Sequence, residues 1–123
     1  MGLNVSKIQM ILQELVSGTT DLEGAALVTP DGLPLVTTLP SNMDEERVAA
    51  MSAAMLSLGE RISDELNRGK IEKISVEGQQ GHCVLASCGD DAVLLVLANQ
   101  AAKQGILTLA IKQAVTELKL AMM

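Results

Sequence analysis

Apolar and polar residues repeat along this chain with two different periods, and the changes of period divide it into eight segments. Three segments repeat apolar residues every three or four positions, which predicts amphipathic helices. Five shorter segments are rich in β-branched and aliphatic residues between turn residues, which predicts strands. The predicted helices cover 6–17, 44–67 and 104–120, and the predicted strands cover 22–29, 33–38, 71–77, 82–88 and 92–98.

The longest predicted helix, 44–67, has two faces of different composition. We expect an apolar stripe to pack on a sheet, because its spacing is typical of a core-facing helix: the stripe comprises Val48, Met51, Met55, Leu58, Ile62 and Leu66. The other face and its flanks carry Ala49, Ala50, Ser52, Ala53, Ala54 and Ser57, with Leu56 as the one larger apolar residue. These small residues predict contact with a second helix, although alanine is also a good helix former on an ordinary wetted surface.

Helix ends and outlying apolar residues add local expectations. Ser6 and Gln9 have the spacing of a capping box, and Gly18 follows as a left-handed stop. Ser41 or Asn42 can cap the long helix, and Gly69 is expected to close it. In the last helix, three residues fall outside the apolar stripe, and we expect them to contact the first helix or, alternatively, a partner: Ile106, Leu109 and Leu120.

The strand pattern predicts one α+β domain covering 1–123, with the order α-β-β-α-β-β-β-α. The fifth strand, 92–98, is apolar at every position, which favours a central place with both faces covered. Pro34 cannot donate to a ladder on both sides, so the second strand should lie at an edge. Short connections then give a mainly antiparallel sheet of order 2-1-5-4-3. The long helix covers one face, and the first and last helices cover the other.

The third predicted strand has one apolar face and should form the second edge of the sheet. An open edge offers unpaired backbone groups to another strand, and a two-fold copy of the chain would cover it. The predicted dimer contact combines strand residues Ile71, Lys73, Ile74, Ser75 and Val76 with helix residues Ala49, Ser52, Ala53 and Leu56. The alternative is that Glu72, Lys73 and Glu77 protect an ordinary exposed edge by their charge.

Composition excludes several classes of function. The 123 residues include no Phe, Tyr or Trp and carry a formal charge of −6, so base stacking and attraction to phosphate backbones or anionic membranes are disfavoured. No apolar run approaches a membrane span, and no signal-peptide core is present, which predicts a cytoplasmic protein. Gly2 and Ser6 match an N-myristoylation pattern, which we interpret as a chance match to a short motif.

Residues able to support catalysis are few and poorly placed. The candidates near one another are His82, Cys83, Cys88, Asp90 and Asp91. His82 and Cys83 are adjacent on a strand and should point to opposite faces, and the two cysteines should also point oppositely. We interpret both cysteines as small buried hydrophobic residues. With one His, no Cys-x-x-Cys pair and no phosphate-binding glycine loop, the chain is predicted to be non-enzymatic and to bind no cofactor, metal or nucleotide.

The run Leu22-Glu23-Gly24-Ala25-Ala26-Leu27-Val28-Thr29-Pro30-Asp31-Gly32-Leu33-Pro34-Leu35-Val36, followed by a long Met/Ala helix, three strands and a helix, resembles the Roadblock/dynein light chain family. The resemblance covers most of the chain. It implies a non-enzymatic homodimer with a continuous sheet, built from paired third strands and long helices.

The resemblance also implies a partner. Dimers of this family bind small Ras-like GTPases or serve as light-chain adaptors, and bacterial members pair with a gliding-motility-type GTPase. The GTPase would rest on the paired long helices, at exposed positions such as Glu46, Ala50, Ser57, Arg61 and Asp64. The alternatives are a structural subunit of a motor or other large assembly and a ligand-sensing module with a pocket under one helix pair.

Overall fold

The computed structural model describes residues 3–123, and within them it contains three helices and five strands in the predicted order. The helices are α1 (Val5–Gly18), α2 (Glu45–Glu65) and α3 (Gln104–Ala121). The strands are β1 (Leu22–Val28), β2 (Pro34–Thr38), β3 (Lys73–Gly78), β4 (Gly81–Ser87) and β5 (Val93–Asn99). Gly2, the residue of the myristoylation pattern, lies outside the described residues.

The five strands form one sheet in the order β2-β1-β5-β4-β3, as predicted. Each neighbouring pair is antiparallel, so the sheet is antiparallel throughout rather than mainly so. β5 lies at the centre, and β2, which begins at Pro34, lies at one edge. β3 forms the other edge, as its single apolar face indicated. The predicted fold class and strand order are therefore confirmed.

Helices cover both faces of the sheet. α1 and α3 pack on one face over Leu27, Leu94 and Val96, and α2 packs on the other over Ala26 and Leu95. Successive β5 residues alternate between the two cores. This alternation explains why the strand has no polar side. None of the helices within residues 3–123 combines the length and the apolar character needed to cross a bilayer.

The side of α2 that faces the sheet is not the one predicted. The buried residues of this helix are Ala49, Ser52, Leu56 and Ser63. Within the predicted core stripe, Met51, Leu58, Ile62 and Leu66 are 57%, 59%, 53% and 58% exposed, and Val48 and Met55 are half-buried. The assignment of the stripe to the core was therefore wrong.

The physical reason is that small side chains allow the helix backbone to approach the sheet closely. Two serines can occupy this buried face because their hydroxyl groups are satisfied locally. Ser52 Oγ donates to the carbonyl of Val48 at 2.8 Å, and Ser63 Oγ donates to the carbonyl of Gly69 at 2.5 Å. The hydrogen bond of Ser63 also ties the end of α2 to the loop that leads into β3.

Several local predictions are corrected by the structure. Asn4, rather than Ser6, caps α1 by accepting a hydrogen bond from the backbone N–H of Lys7. Asp44, rather than Ser41 or Asn42, caps α2. After α2 the first left-handed residue is Asn67, at φ 55°, ahead of Gly69.

Of the two expectations for the outlying apolar residues of α3, contact with the first helix is wrong, and contact with a partner stays a prediction. Ile106, Leu109 and Leu120 are more than half exposed instead of packing on α1. The packing between α1 and α3 uses other residues, among them Leu12, Ile111 and Leu118.

Candidate protein-interaction site

The largest apolar side chains left uncovered on α2 form a single row, which we call the α2 stripe. It consists of Met51, Leu58, Ile62 and Leu66, each more than half exposed. Successive members are seven, four and four residues apart, which places them along one flank of the helix, with Leu66 as its C-cap residue. Such a row is unusual on an isolated domain, and contiguous exposed apolar surface typically marks a contact with another protein.

The α2 stripe lies on the flank of the helix that is nearest to β3. Gly59, which belongs to this side of the helix, is so close to the strand that a β-carbon there would lie 2.5 Å from Cδ1 of Ile74 and 3.7 Å from Cδ1 of Ile71. A side chain at this position would require the end of the Ile74 side chain to move. The helix and the edge strand are therefore in direct contact below the stripe.

β3 presents an open edge beside the α2 stripe. The backbone N–H of Ser87 donates to the carbonyl of Glu72 at 3.1 Å, and Gly78 pairs with Gly81 around a two-residue turn. Both observations show that the even-numbered residues of β3 direct their backbone groups towards β4. The odd-numbered residues, Lys73, Ser75 and Glu77, direct theirs towards the free edge.

The same strand also contributes apolar side chains. Ile74 is half-buried against α2, and Val76, on the same face of the sheet, is 49% exposed. Together with the α2 stripe and the free backbone of β3, these two residues make one continuous surface, which we call the α2–β3 surface. It has a hydrophobic centre and a rim that can form backbone hydrogen bonds.

The predicted dimer residues divide into two groups in the structure. Those on β3 and before it lie on the α2–β3 surface or next to it: Ile71, Lys73, Ile74, Ser75 and Val76. Those on the helix do not. Ala49, Ser52 and Leu56 are buried against the protomer's own sheet, and Ala53 is half-buried beside the β1–β2 turn at Gly32. The helix part of the predicted contact is therefore not available on the protomer surface, and the exposed apolar side chains of this helix are those of the α2 stripe.

The sequence carried a signal for the residues that this prediction missed. The periodic spacing of Met51, Leu58, Ile62 and Leu66 was recognised, but it was attributed to the protomer core. Periodicity reports that one face of a helix is apolar, and it does not report whether that face packs inside the chain or on a second chain.

The residues that the family resemblance suggested for GTPase binding occupy the opposite flank of α2. All five are exposed: Glu46, Ala50, Ser57, Arg61 and Asp64. At 100° per residue they fall within an arc of about 60° on the helix. The structure thus brings them together as one surface that combines acidic, basic and small side chains, and keeps it apart from the α2 stripe.

The two cysteines are protonated at neutral pH. Burial raises the pKa of the Cys83 thiol, and burial raises that of Cys88 to about 11 against an opposing effect of Lys119. Cys88 is buried as predicted, whereas Cys83 is only half-buried. Within residues 3–123, no three or more His, Cys, Asp or Glu side chains are grouped so that they could hold a metal ion. Neither thiol has the thiolate character that a nucleophile requires.

The antiparallel 2-1-5-4-3 sheet, with one long helix on one face and two helices on the other, defines a Roadblock-type α+β domain. Residues 7–98 match the family model of the Roadblock/LC7 domain, and the chain therefore belongs to the Roadblock/LC7 family. Members of this family are generally regulatory or adaptor proteins.

Relatives and solved structures agree with this assignment. An uncharacterised protein of Methanocaldococcus jannaschii, MJ0714, is 32% identical over 114 residues, which cover 93% of this chain and 95% of the relative. The structure of MglB from Myxococcus xanthus superposes with a TM-score of 0.88 at 20% identity and covers 94% of each chain. A structure of MglB with a tetrameric arrangement gives a TM-score of 0.90 at 17% identity and covers 99% of this chain and 92% of that one.

Proposed function

We propose that this protein is a non-enzymatic homodimer that binds a small Ras-like GTPase and regulates its nucleotide state or its location. The observation that carries the proposal is the α2–β3 surface, in which an apolar helix flank lies beside an open strand edge. The dimer is the first step of the argument, and the GTPase-binding face is the second.

A second copy of the chain is the partner that suits both parts of the α2–β3 surface. A two-fold axis beside β3 would join the two sheets through backbone hydrogen bonds, and the same operation would bring the two α2 stripes together. Complete burial of a large aliphatic side chain contributes about 1.5–3 kcal/mol. The four stripe residues, each more than half exposed in the protomer, supply a substantial part of the association energy.

The comparisons support self-association and a regulatory role. One solved structure of the same fold is described as MglB with a tetrameric arrangement, and another as the gliding protein MglB from Thermus thermophilus. Both share less than a fifth of their residues with this chain, so they support the fold directly and the function by analogy.

In the proposed dimer the polar flanks of the two α2 helices remain accessible. Each copy exposes Glu46, Ser57, Arg61 and Asp64 on the flank away from its stripe. A GTPase that contacts this flank in one nucleotide state more tightly than in the other would be shifted towards that state by the difference in affinity. The adaptor would then alter hydrolysis or exchange through the switch loops of the GTPase, without supplying a catalytic group.

The test combines a measurement of oligomeric state with a binding titration. Sedimentation equilibrium of the purified protein should show a dimer, and a small Ras-like GTPase from the same organism should bind it with different affinities in its GDP and GTP-analogue forms. Arg61→Glu should weaken this binding by at least about tenfold, as expected for an interface arginine, and leave the dimer intact.

Lys112→Glu is the matched control, because Lys112 is an exposed cation on α3, on the other face of the sheet. Equal binding by the Arg61→Glu variant and the control would reject the proposed GTPase face. A dimer that binds no GTPase and instead co-purifies with a large coiled-coil chain would favour the structural-subunit alternative.

A further inference from the structure

The free edge of β3 carries two opposite charges placed symmetrically about one residue. Lys73 lies two positions before Ser75, Glu77 lies two positions after it, and all three are exposed. Since side chains alternate along a strand, these three share the face of the sheet that points away from α2, opposite to Ile74 and Val76. A second copy that runs antiparallel and is centred on Ser75 would therefore place each Lys73 opposite a Glu77.

Strand geometry limits how two copies of this edge can pair. In an antiparallel pair, directly opposed residues project on the same face of the sheet. A two-fold axis perpendicular to the sheet keeps both α2 helices on one side, so residues that face α2 must oppose residues that face α2. Among the axes that this condition allows, the three that keep the two strands most fully overlapped pass between two copies of Ile74, two copies of Ser75 or two copies of Val76.

These three registers place different residues opposite each other. An axis at Ile74 opposes Lys73 to Ser75 and leaves the charge of Glu77 near the end of the strand. An axis at Val76 opposes Ser75 to Glu77 and places Lys73 beyond the end of the partner strand. An axis at Ser75 opposes Lys73 to Glu77 twice and Ile74 to Val76 twice. It also uses the outward backbone groups of every odd-numbered residue of β3.

We propose that two copies of this chain pair through β3 with Ser75 on the two-fold axis, and that Lys73 and Glu77 select an identical copy as the partner. This inference rests on the homodimer of the proposed function and adds the register and the residues that determine specificity. A different chain that lacks a cation and an anion at these two positions would place like or unpaired charges opposite each other, which disfavours a mixed dimer.

The test exchanges the charges one at a time and then mixes the products. Lys73→Glu alone should replace both attractive pairs by Glu–Glu pairs, and Glu77→Lys alone should replace them by Lys–Lys pairs. Each change removes two attractive cross-strand pairs and introduces two repulsive ones. Because each such pair has a modest energy, the dimer dissociation constant should rise by about tenfold to a hundredfold. The double variant, with both changes, should regain most of the wild-type affinity.

Mixing the two single variants provides the sharpest result. A dimer of the Lys73→Glu chain with the Glu77→Lys chain has two attractive pairs, so the mixture should form heterodimers in preference to either homodimer. Glu72→Lys is the matched control, because this residue is an exposed anion at the same edge and would lie opposite Gly78 of the second copy. Its dimer should dissociate like the wild type.

A cross-linking measurement reads the register directly. Opposed residues of a hydrogen-bonded antiparallel pair have Cα atoms about 5.5 Å apart, within the range that a disulfide spans. Ser75→Cys should therefore form a covalent dimer under mild oxidation, whereas Lys73→Cys should not. Both variants retain Cys83 and Cys88, so a cross-link formed through Cys83 alone would appear in both of them.

The outcomes separate this inference from the proposed function. A wild-type protein that sediments as a monomer would overturn both. A wild-type dimer whose single charge variants associate normally, show no heterodimer preference and fail to cross-link at residue 75 would overturn the register alone. Preferred cross-linking of Ile74→Cys or Val76→Cys would overturn it in favour of an axis at one of those residues.

Discussion

Shortening a single side chain of the α2 stripe should weaken the dimer without damaging the fold of the protomer. Leu58 is 59% exposed in the protomer, so more than half of its surface is available for a partner. We expect Leu58→Ala to remove this contribution from both copies, because a two-fold dimer contains the residue twice. Alanine retains the helical preference of leucine, and the helix itself should be unaffected.

The magnitude follows from the exposed fraction. Leucine and alanine differ by three carbon groups, worth about 0.8 kcal/mol each when fully buried, and the exposed 59% therefore corresponds to about 1.4 kcal/mol per copy. Two copies give about 3 kcal/mol, which raises the dimer dissociation constant about a hundredfold. This value corresponds to complete coverage of the side chain by the partner.

Sedimentation equilibrium over a range of protein concentrations measures this change. The matched control is Ser57→Ala, which changes the adjacent exposed residue on the other flank of the helix and should leave the dissociation constant unaltered. Circular dichroism of both variants should match that of the wild type. If Leu58→Ala dissociates at the same concentration as the wild type, the α2 stripe does not form the seam and the reasoning from its exposure is refuted.

Three further changes test the protomer itself. Leu56→Glu places an unpaired carboxylate in the buried face of α2 and should lower the free energy of unfolding by more than about 3 kcal/mol, to be read by urea denaturation. Unaltered stability would contradict the corrected helix face. Asp44→Ala removes the cap that accepts from the N–H groups of Glu46 and Arg47 at 3.0 and 3.3 Å, and should cost about 0.5–2 kcal/mol by the same method. The third concerns pH. Because the pKa of Cys88 is raised from 9.0 to about 11 in the folded chain, its thiol adds no pH dependence below pH 9, and stability should fall between pH 9 and 11 as the unfolded chain ionises first. Cys88→Ala should remove this part of the alkaline loss, and an identical pH profile would contradict the raised pKa.

The arrangement of the sheet was predictable because each strand carried its own constraint. Pro34 required an edge, the unbroken apolar run of β5 required the centre, and the alternation of Ile74 and Val76 with polar residues required the other edge. Short connections then allowed few orders. These constraints are local, and a single sequence expresses them fully.

The orientation of α2 was not predictable by the same reasoning. Hydrophobicity alone favoured the stripe with Leu58 and Ile62 for the core, yet the face with Ala49 and Ser52 is the buried one. The choice depends on how near the helix lies to the sheet, and on whether another surface is available to the larger side chains. Both are tertiary properties that the periodicity of one helix does not contain.

Gly59 connects the packing beneath α2 to the shape of the α2–β3 surface. Its missing side chain leaves room directly beneath α2 for the tip of Ile74, a residue of that surface. A bulkier residue at this position would displace the tip of Ile74 from beneath the helix. One substitution at Gly59 would therefore alter the surface indirectly, through the position of Ile74, while the side chains of the α2 stripe stay the same.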